Sequence, residues 1–218
     1  MITVALADDH LVTRAGIKTI LQLHKLIKVE IEASNGIELL DCLSRASTLP
    51  DVAIVDINMP KMNGFDTVKE MQKYYPSVKI IAFSLIFEED AVINMITLGA
   101  CGYISKTADP LLLSEAVIAV YEKGFYLGEL VKKEYFDTDP TVKRRPAFTG
   151  KQLLTQKEVA FIKLAATNLN YKEIADRMEV SPKTVENYRD SLFMKLEIKN
   201  RAALALYGFK NGLVDLSS

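Results

Sequence analysis

The chain has 218 residues, 49% of them hydrophobic, and its 27 Lys and Arg nearly balance 28 Asp and Glu, for a net charge of −1. That is enough chain for two modest domains, each with a core of its own. No apolar run approaches the roughly 18 residues a membrane span requires, and two isolated cysteines exclude a disulfide scaffold.

Cys42 and Cys101 have no C-x-x-C spacing and read as packing residues in a reducing compartment. The N-terminus carries neither a charged n-region nor a cleavage site, so a cytoplasmic protein is expected. His10 and His24, the two histidines, lack metal-ligand spacing. Charge is unevenly spread. Residues 1–128 carry 11 Lys and Arg against 16 Asp and Glu, whereas residues 150–218 carry 11 against 8. An acidic front and a mildly basic back suggest domains with different partners, although the back is not basic enough to establish nucleic-acid binding by charge alone.

The first strand expected is Thr3–Ala7, closed by Asp8 and Asp9. A helical pattern near 13–24 leads to a strand at Val29–Ala33, and one near 36–47 leads to Val52–Ile57, which carries Asp56 near its end. A helix near 64–74 precedes the strand Lys79–Ser84, and one near 89–98 precedes Gly102–Ser105, with Lys106 just beyond. A last helix lies near 109–123. Short apolar runs alternating with helices read as buried parallel strands. Right-handed crossovers leave few topologies, and the flavodoxin-like order 2-1-3-4-5 is expected for this α/β domain over residues 1–128.

Residues 129–150 hold two prolines, a KRR cluster and no sustained period, and read as a linker. The KRR cluster could touch phosphates, but a solvated linker is the simpler account. Residues 151–218 read as an all-α, four-helix domain. Thr155 and Glu158 form a capping box, Asn170 and Glu173 offer another, and Ser181-Pro182 starts a third helix. A fourth runs from about Asn200 to Asn211 and stops at Gly212. The break at Glu179–Val180 makes the middle pair a helix-turn-helix. Val185, Leu192 and Leu196 share the apolar face of the third helix, and Leu164, Ile174 and Met178 are further core candidates.

Asp8, Asp9, Asp56, Ser84 and Lys106 each stand at a strand end, and such ends converge on one crevice in a parallel sheet. Any one of them alone could be a turn former or a helix cap. Together, three carboxylates, a hydroxyl and a lysine suit a divalent cation and a phosphoryl group. A carboxylate can attack phosphorus and hold it as an acyl phosphate, and the developing charge needs a cation and a fixed positive side chain. Asp56 is then the nucleophile, Asp8 and Asp9 supply oxygens for Mg²⁺, Lys106 pairs with the phosphate, and Ser84 donates a hydrogen bond to it.

Residues 1 to about 128 resemble the CheY-like receiver domain of two-component response regulators. The resemblance rests on Asp8-Asp9, Asp56 followed by Met59-Pro60 and Gly64, then Ser84 and Lys106. It implies that Asp56 accepts a phosphoryl group from a histidine kinase. It also implies that Asp8, Asp9, Asp56 and the carbonyl of Asn58 hold Mg²⁺, and that Ser84 moves toward the phosphate. Tyr103 matches the aromatic that turns inward in the active state; without the resemblance it would be a packing residue. One departure is Leu85, with Ile86 after it, where the family usually has a small residue. Its bulk is expected to slow entry of phosphoryl donors or hydrolytic water.

Residues 153–214 resemble the DNA-binding domain of the LuxR/NarL group. The landmarks are Leu154-Thr155, Glu158, Lys172-Glu173-Ile174-Ala175, Thr184-Val185 and Lys195-Leu196. The resemblance assigns DNA contact to Glu186, Asn187 and Asp190, of which the first and last are often basic in the family. A carboxylate near phosphates is unfavourable, yet it can accept a hydrogen bond from cytosine N4. Lys172, Lys183, Thr184, Arg189, Lys195, Lys199 and Arg201 are candidate phosphate contacts, each of which read alone is a solvated helix residue. The whole reads as a bacterial, phosphorylation-switched transcription regulator that binds double-stranded DNA as a homodimer when phosphorylated. An adaptor whose helical domain binds protein is the alternative. A haloacid-dehalogenase-type phosphatase fits poorly, because the place of its second aspartate holds Asn58. No enzyme activity is expected.

Overall fold

A computed structural model describes residues 1–85, 89–126, 128 and 154–214. The chain divides into two compact units, Met1–Leu127 and Gly128–Ser218. The linker expected over 129–150 lies outside the described residues, as does Ile86. Among the described residues no helix is long and apolar enough to cross a membrane.

The first unit alternates β1 (Ile2–Ala7), α1 (Leu11–Leu23), β2 (Ile27–Ala33), α2 (Gly36–Arg45), β3 (Val52–Asp56), α3 (Gly64–Tyr74), β4 (Lys79–Ser84), α4 (Glu89–Leu98), β5 (Gly102–Ser105) and α5 (Leu111–Lys123). The strands form one sheet in the order β2-β1-β3-β4-β5, parallel at every pairing. That is the expected topology, and it makes β3, with Asp56 at its tip, the central strand. Every residue of β3 is buried, because helices cover both faces of a sheet built by crossover connections. Helix α1 starts at Leu11, earlier than its apolar period suggests, because Leu11 and Val12 are exposed and add nothing to the buried stripe. Cys101 is buried, which pushes its thiol up and suits the packing role expected for it.

The second unit holds α6 (Gln156–Ala165), α7 (Tyr171–Arg177), α8 (Pro182–Lys195) and α9 (Arg201–Lys210). Both capping boxes form, and Ser181 and Asn200 cap α8 and α9 through the Thr184 and Ala203 amides. The turn after α7 is closed by Val180 N–H donating to the Ala175 carbonyl at 3.0 Å. A matching bond joins Ile198 N–H to the Phe193 carbonyl after α8, also at 3.0 Å. Both reversals need a left-handed residue, and here Glu179 and Glu197 supply it, each at φ 54. Val185, Ile174, Leu192 and Leu196 are buried, while Leu164 and Met178 are half-buried.

Candidate phosphoryl-transfer and nucleic-acid sites

The tips of β1, β3, β4 and β5 bring the expected front residues together. Asp8 and Asp56 are buried, and Lys106 reaches between them, its Nζ lying 2.8 Å from Asp8 Oδ2 and 2.6 Å from Asp56 Oδ2. Burial, the largest influence on Asp56, pushes its carboxyl above the ordinary range; Lys106 opposes that push and Asp8 adds to it. Burial also works against the charge on Lys106, but its bonds to Asp56 and Asp8 outweigh it and raise the pKa. The ammonium is therefore fixed in place as a permanent positive charge.

The other oxygen of Asp56, Oδ1, accepts from the Asn58 amide at 3.3 Å. Asp8 Oδ1 accepts from the His10 amide at 2.8 Å, and Arg14 donates to the Asp8 carbonyl at 2.6 Å. Asp8 Oδ2 is buried and receives no aligned hydrogen bond; its contact with Lys106 is ionic. Ligand atoms of Asp8, Asp9, His10 and Asp56 all lie within 4.8 Å of one another. His10 is the member the sequence did not yield, since its place depends on the β1–α1 turn folding it back over Asp9.

Ser84 and Tyr103 are fully buried and hydrogen-bonded to each other. Burial, with a smaller push from Asp56, drives the Tyr103 phenol up to about 12, so it stays protonated. Leu85, next along from Ser84, is 67% exposed. Gly64 brings α3 against the tip of β3: a Cβ there would lie 2.4 Å from the Asp56 carbonyl oxygen and 2.7 Å from the Ile57 Cα. Its amide donates to the Ile57 carbonyl at 2.8 Å.

On the back unit, Lys172 is exposed on α7, and Lys183, Asn187 and Asp190 are exposed along α8. Thr184, Glu186 and Arg189 are half-exposed there. The cations do not stand alone. Lys183 Nζ lies 2.9 Å from Glu186, and Arg189 lies 2.8 Å from Asp190 and 5.6 Å over the Tyr171 ring. The Thr184 hydroxyl shares a hydrogen bond with the N-cap Ser181.

One expected phosphate contact is corrected. Arg201 is buried and donates to the carbonyls of Ala165, Thr167 and Leu169 at 2.8, 3.0 and 2.6 Å. Burial lowers its pKa to about 10. It serves the helical unit's interior, because buried backbone carbonyls need donors. Lys195, half-buried, is paired with Glu158 at 3.0 Å.

Comparison with known proteins agrees with this geometry. Residues 4–118 match the response regulator receiver domain, and residues 152–207 match the bacterial regulatory proteins of the luxR family. The chain is 31% identical to the response regulator UvrY of Escherichia coli K12, covering 98% of this chain and 96% of that one. It is 28% identical to the transcriptional regulatory protein DegU of Brevibacillus brevis, over 98% and 95%. Among solved structures, a complex of the two-component response regulator RcsB with DNA superposes with a TM-score of 0.58 at 25% identity, covering 96% and 98%. A parallel sheet with an acidic, lysine-bridged crevice, joined to a capped helix-turn-helix, defines a signalling protein with an output domain. The chain belongs to the two-component response regulators, with a receiver domain followed by a LuxR-family helix-turn-helix domain.

Proposed function

We propose that Asp56 accepts a phosphoryl group from a histidine kinase, and that this modification switches DNA binding by residues 151–218, with residues 1–128 as the receiver and 129–150 as the connection. The observation that carries this reading is the buried Asp56 carboxylate bridged by Lys106 to Asp8. An Asp56 oxygen bonds to phosphorus as the phosphorus–nitrogen bond of a phosphohistidine breaks, and the imidazole leaves with a proton. Lys106 already stands 2.6 Å from Asp56 Oδ2 and meets the charge that develops on the phosphoryl oxygens. The Asn58 amide steadies the other carboxylate oxygen.

The acidic residues suit Mg²⁺, which takes a few hard oxygen donors and keeps several waters. Asp8 Oδ2, buried without an aligned donor, fits that use. Asp8, Asp9, Asp56 and the Asn58 carbonyl would hold the ion, which when bound neutralises charge on the transferring phosphoryl group. A phosphoryl oxygen on Asp56 would offer Ser84 a charged acceptor. Tyr103, already buried and bonded to Ser84, would then be held inward, and phosphorylation would bias the receiver between two states. The output is a homodimer whose paired α8 helices read paired half-sites in double-stranded DNA.

Selection from random double-stranded DNA tests this reading, run with and without Mg²⁺ and beryllofluoride as an acyl-phosphate mimic. A paired half-site enriched only with the mimic is the expected result. Asp56→Ala should abolish donor-dependent dimerisation; donor-responsive dimers in that variant would refute the switch. A second reading, a receiver-controlled adaptor that binds protein, is favoured by the ion-paired acids Glu186 and Asp190 on α8. No enrichment in either condition would select it.

A further inference from the structure

His10 lies at the turn from β1 into α1, as the residue preceding the helix. Its Nδ1 is 2.8 Å from Asp9 Oδ1 and 3.6 Å from Asp8 Oδ1, inside the group whose ligand atoms span no more than 4.8 Å. In an octahedral site with bonds of about 2.1 Å, opposite donors stand about 4.2 Å apart. A donor set spanning 4.8 Å therefore closes on one ion with small side-chain movement. The His10 backbone is held by its N–H donating a hydrogen bond to Asp8 Oδ1 at 2.8 Å, while its side chain is 67% exposed. Asp8 Oδ2, buried and in ionic contact with Lys106 at 2.8 Å, adds a further oxygen.

We infer that His10 is a fifth protein donor to the ion held by Asp8, Asp9, Asp56 and the Asn58 carbonyl, and that it tilts this pocket toward imidazole-accepting divalent metals such as Co²⁺ and Ni²⁺. This deepens the Mg²⁺ reading given above and rests on it. The chemistry is selective because imidazole suits the later first-row transition metals, whereas Mg²⁺ and Mn²⁺ favour carboxylate, carbonyl and water oxygens. His10 would therefore contribute to one class of ion and add little to the other. The close contact that Nδ1 now makes with Asp9 Oδ1 is exchanged for the bond to the metal, and Asp9 turns its oxygen to the same ion.

The test is calorimetric titration of the full chain and of His10→Asn with Mg²⁺, Co²⁺ and Ni²⁺ in turn. His10→Asn should weaken Co²⁺ and Ni²⁺ binding by about tenfold or more and change Mg²⁺ binding by less than about twofold. Proton magnetic resonance of the Co²⁺-loaded chain should show a hyperfine-shifted imidazole N–H signal that disappears in His10→Asn. Equal weakening for all three ions would mean that His10 only positions Asp9, and would overturn the inference. Unchanged binding, or Co²⁺ bound without the shifted imidazole signal, would do the same. Labelling of the parent by a small acyl phosphate in Mg²⁺ separates the two readings. Labelling without a His10 effect leaves the receiver reading intact, whereas no binding of any ion removes both.

Discussion

The Asp56 carboxylate is held in a place that disfavours its charge. Its folded-state pKa is raised by burial, so between the ordinary and the raised value the folded chain binds more of this proton than the unfolded chain does. Stability then rises as pH falls from neutral through that raised value, and levels off below the ordinary value of 3.8. Asp56→Asn keeps an acceptor for Lys106, whose ion pair with Asp8 remains. The variant should melt above the parent near pH 7, and the gap should narrow as pH falls toward 4, as read by calorimetry across that range. A parent that gains no stability on this descent would contradict the account. Leu85 acts at the same scale. It follows Ser84 in the chain, its side chain is exposed, and we propose that its bulk hinders access to Asp56. Leu85→Ala should raise both phosphorylation and dephosphorylation rates, by at least about twofold if desolvation at the rim limits entry. Unchanged rates in stopped-flow measurements would end that idea.

At the scale of elements, the junction of β3 with α3 and the anchoring of α9 carry the weight. Gly64→Ala would force a Cβ into the backbone of Asp56 and Ile57. Because backbone cannot yield as a side-chain tip does, a loss of about 1–3 kcal/mol is expected in urea unfolding, together with slower phosphorylation. Arg201→Met removes the donor that serves three carbonyls, one at the end of α6 and two between α6 and α7. It should lower the stability of the helical unit by about 2–4 kcal/mol, since buried acceptors are left unsatisfied. The strand order and both capping boxes could be read from the chain, because burial on both faces and reciprocal caps write themselves into local pattern. Asp8, Asp56 and Lys106 were legible for the same reason: strand tips in a parallel sheet have one common address. Arg201 was not, because its partners are main-chain carbonyls, which have no sequence signature. His10 was missed because ligand spacing is sought along helices, whereas this residue meets its neighbours by reversal of the chain. The left-handed Glu179 and Glu197 were equally hidden, since glycine is the usual mark of such turns.

At the scale of the whole molecule, the near-zero charge conceals an output helix that carries its own counterions. Lys183 and Arg189 each face a carboxylate one turn or one residue away. Exposed pairs of this kind contribute little to stability, but they would lower the positive charge that the helix offers to a polyanion. Glu186→Gln combined with Asp190→Asn should tighten binding to DNA of any sequence and steepen its salt dependence, each freed cation adding about 0.9 to the logarithmic slope. Fluorescence anisotropy over a salt series would measure both, and a flat, unchanged slope would place these residues away from DNA. The same pairing bears on how a regulator finds its target in a crowded chromosome. A chromosome offers millions of decoy sites, and a strongly basic helix would spend most of its time on them. If α8 reads DNA as proposed, a self-neutralised helix would leave more copies free in solution, and occupancy of the true site would follow the phosphorylation signal more closely than the abundance of DNA.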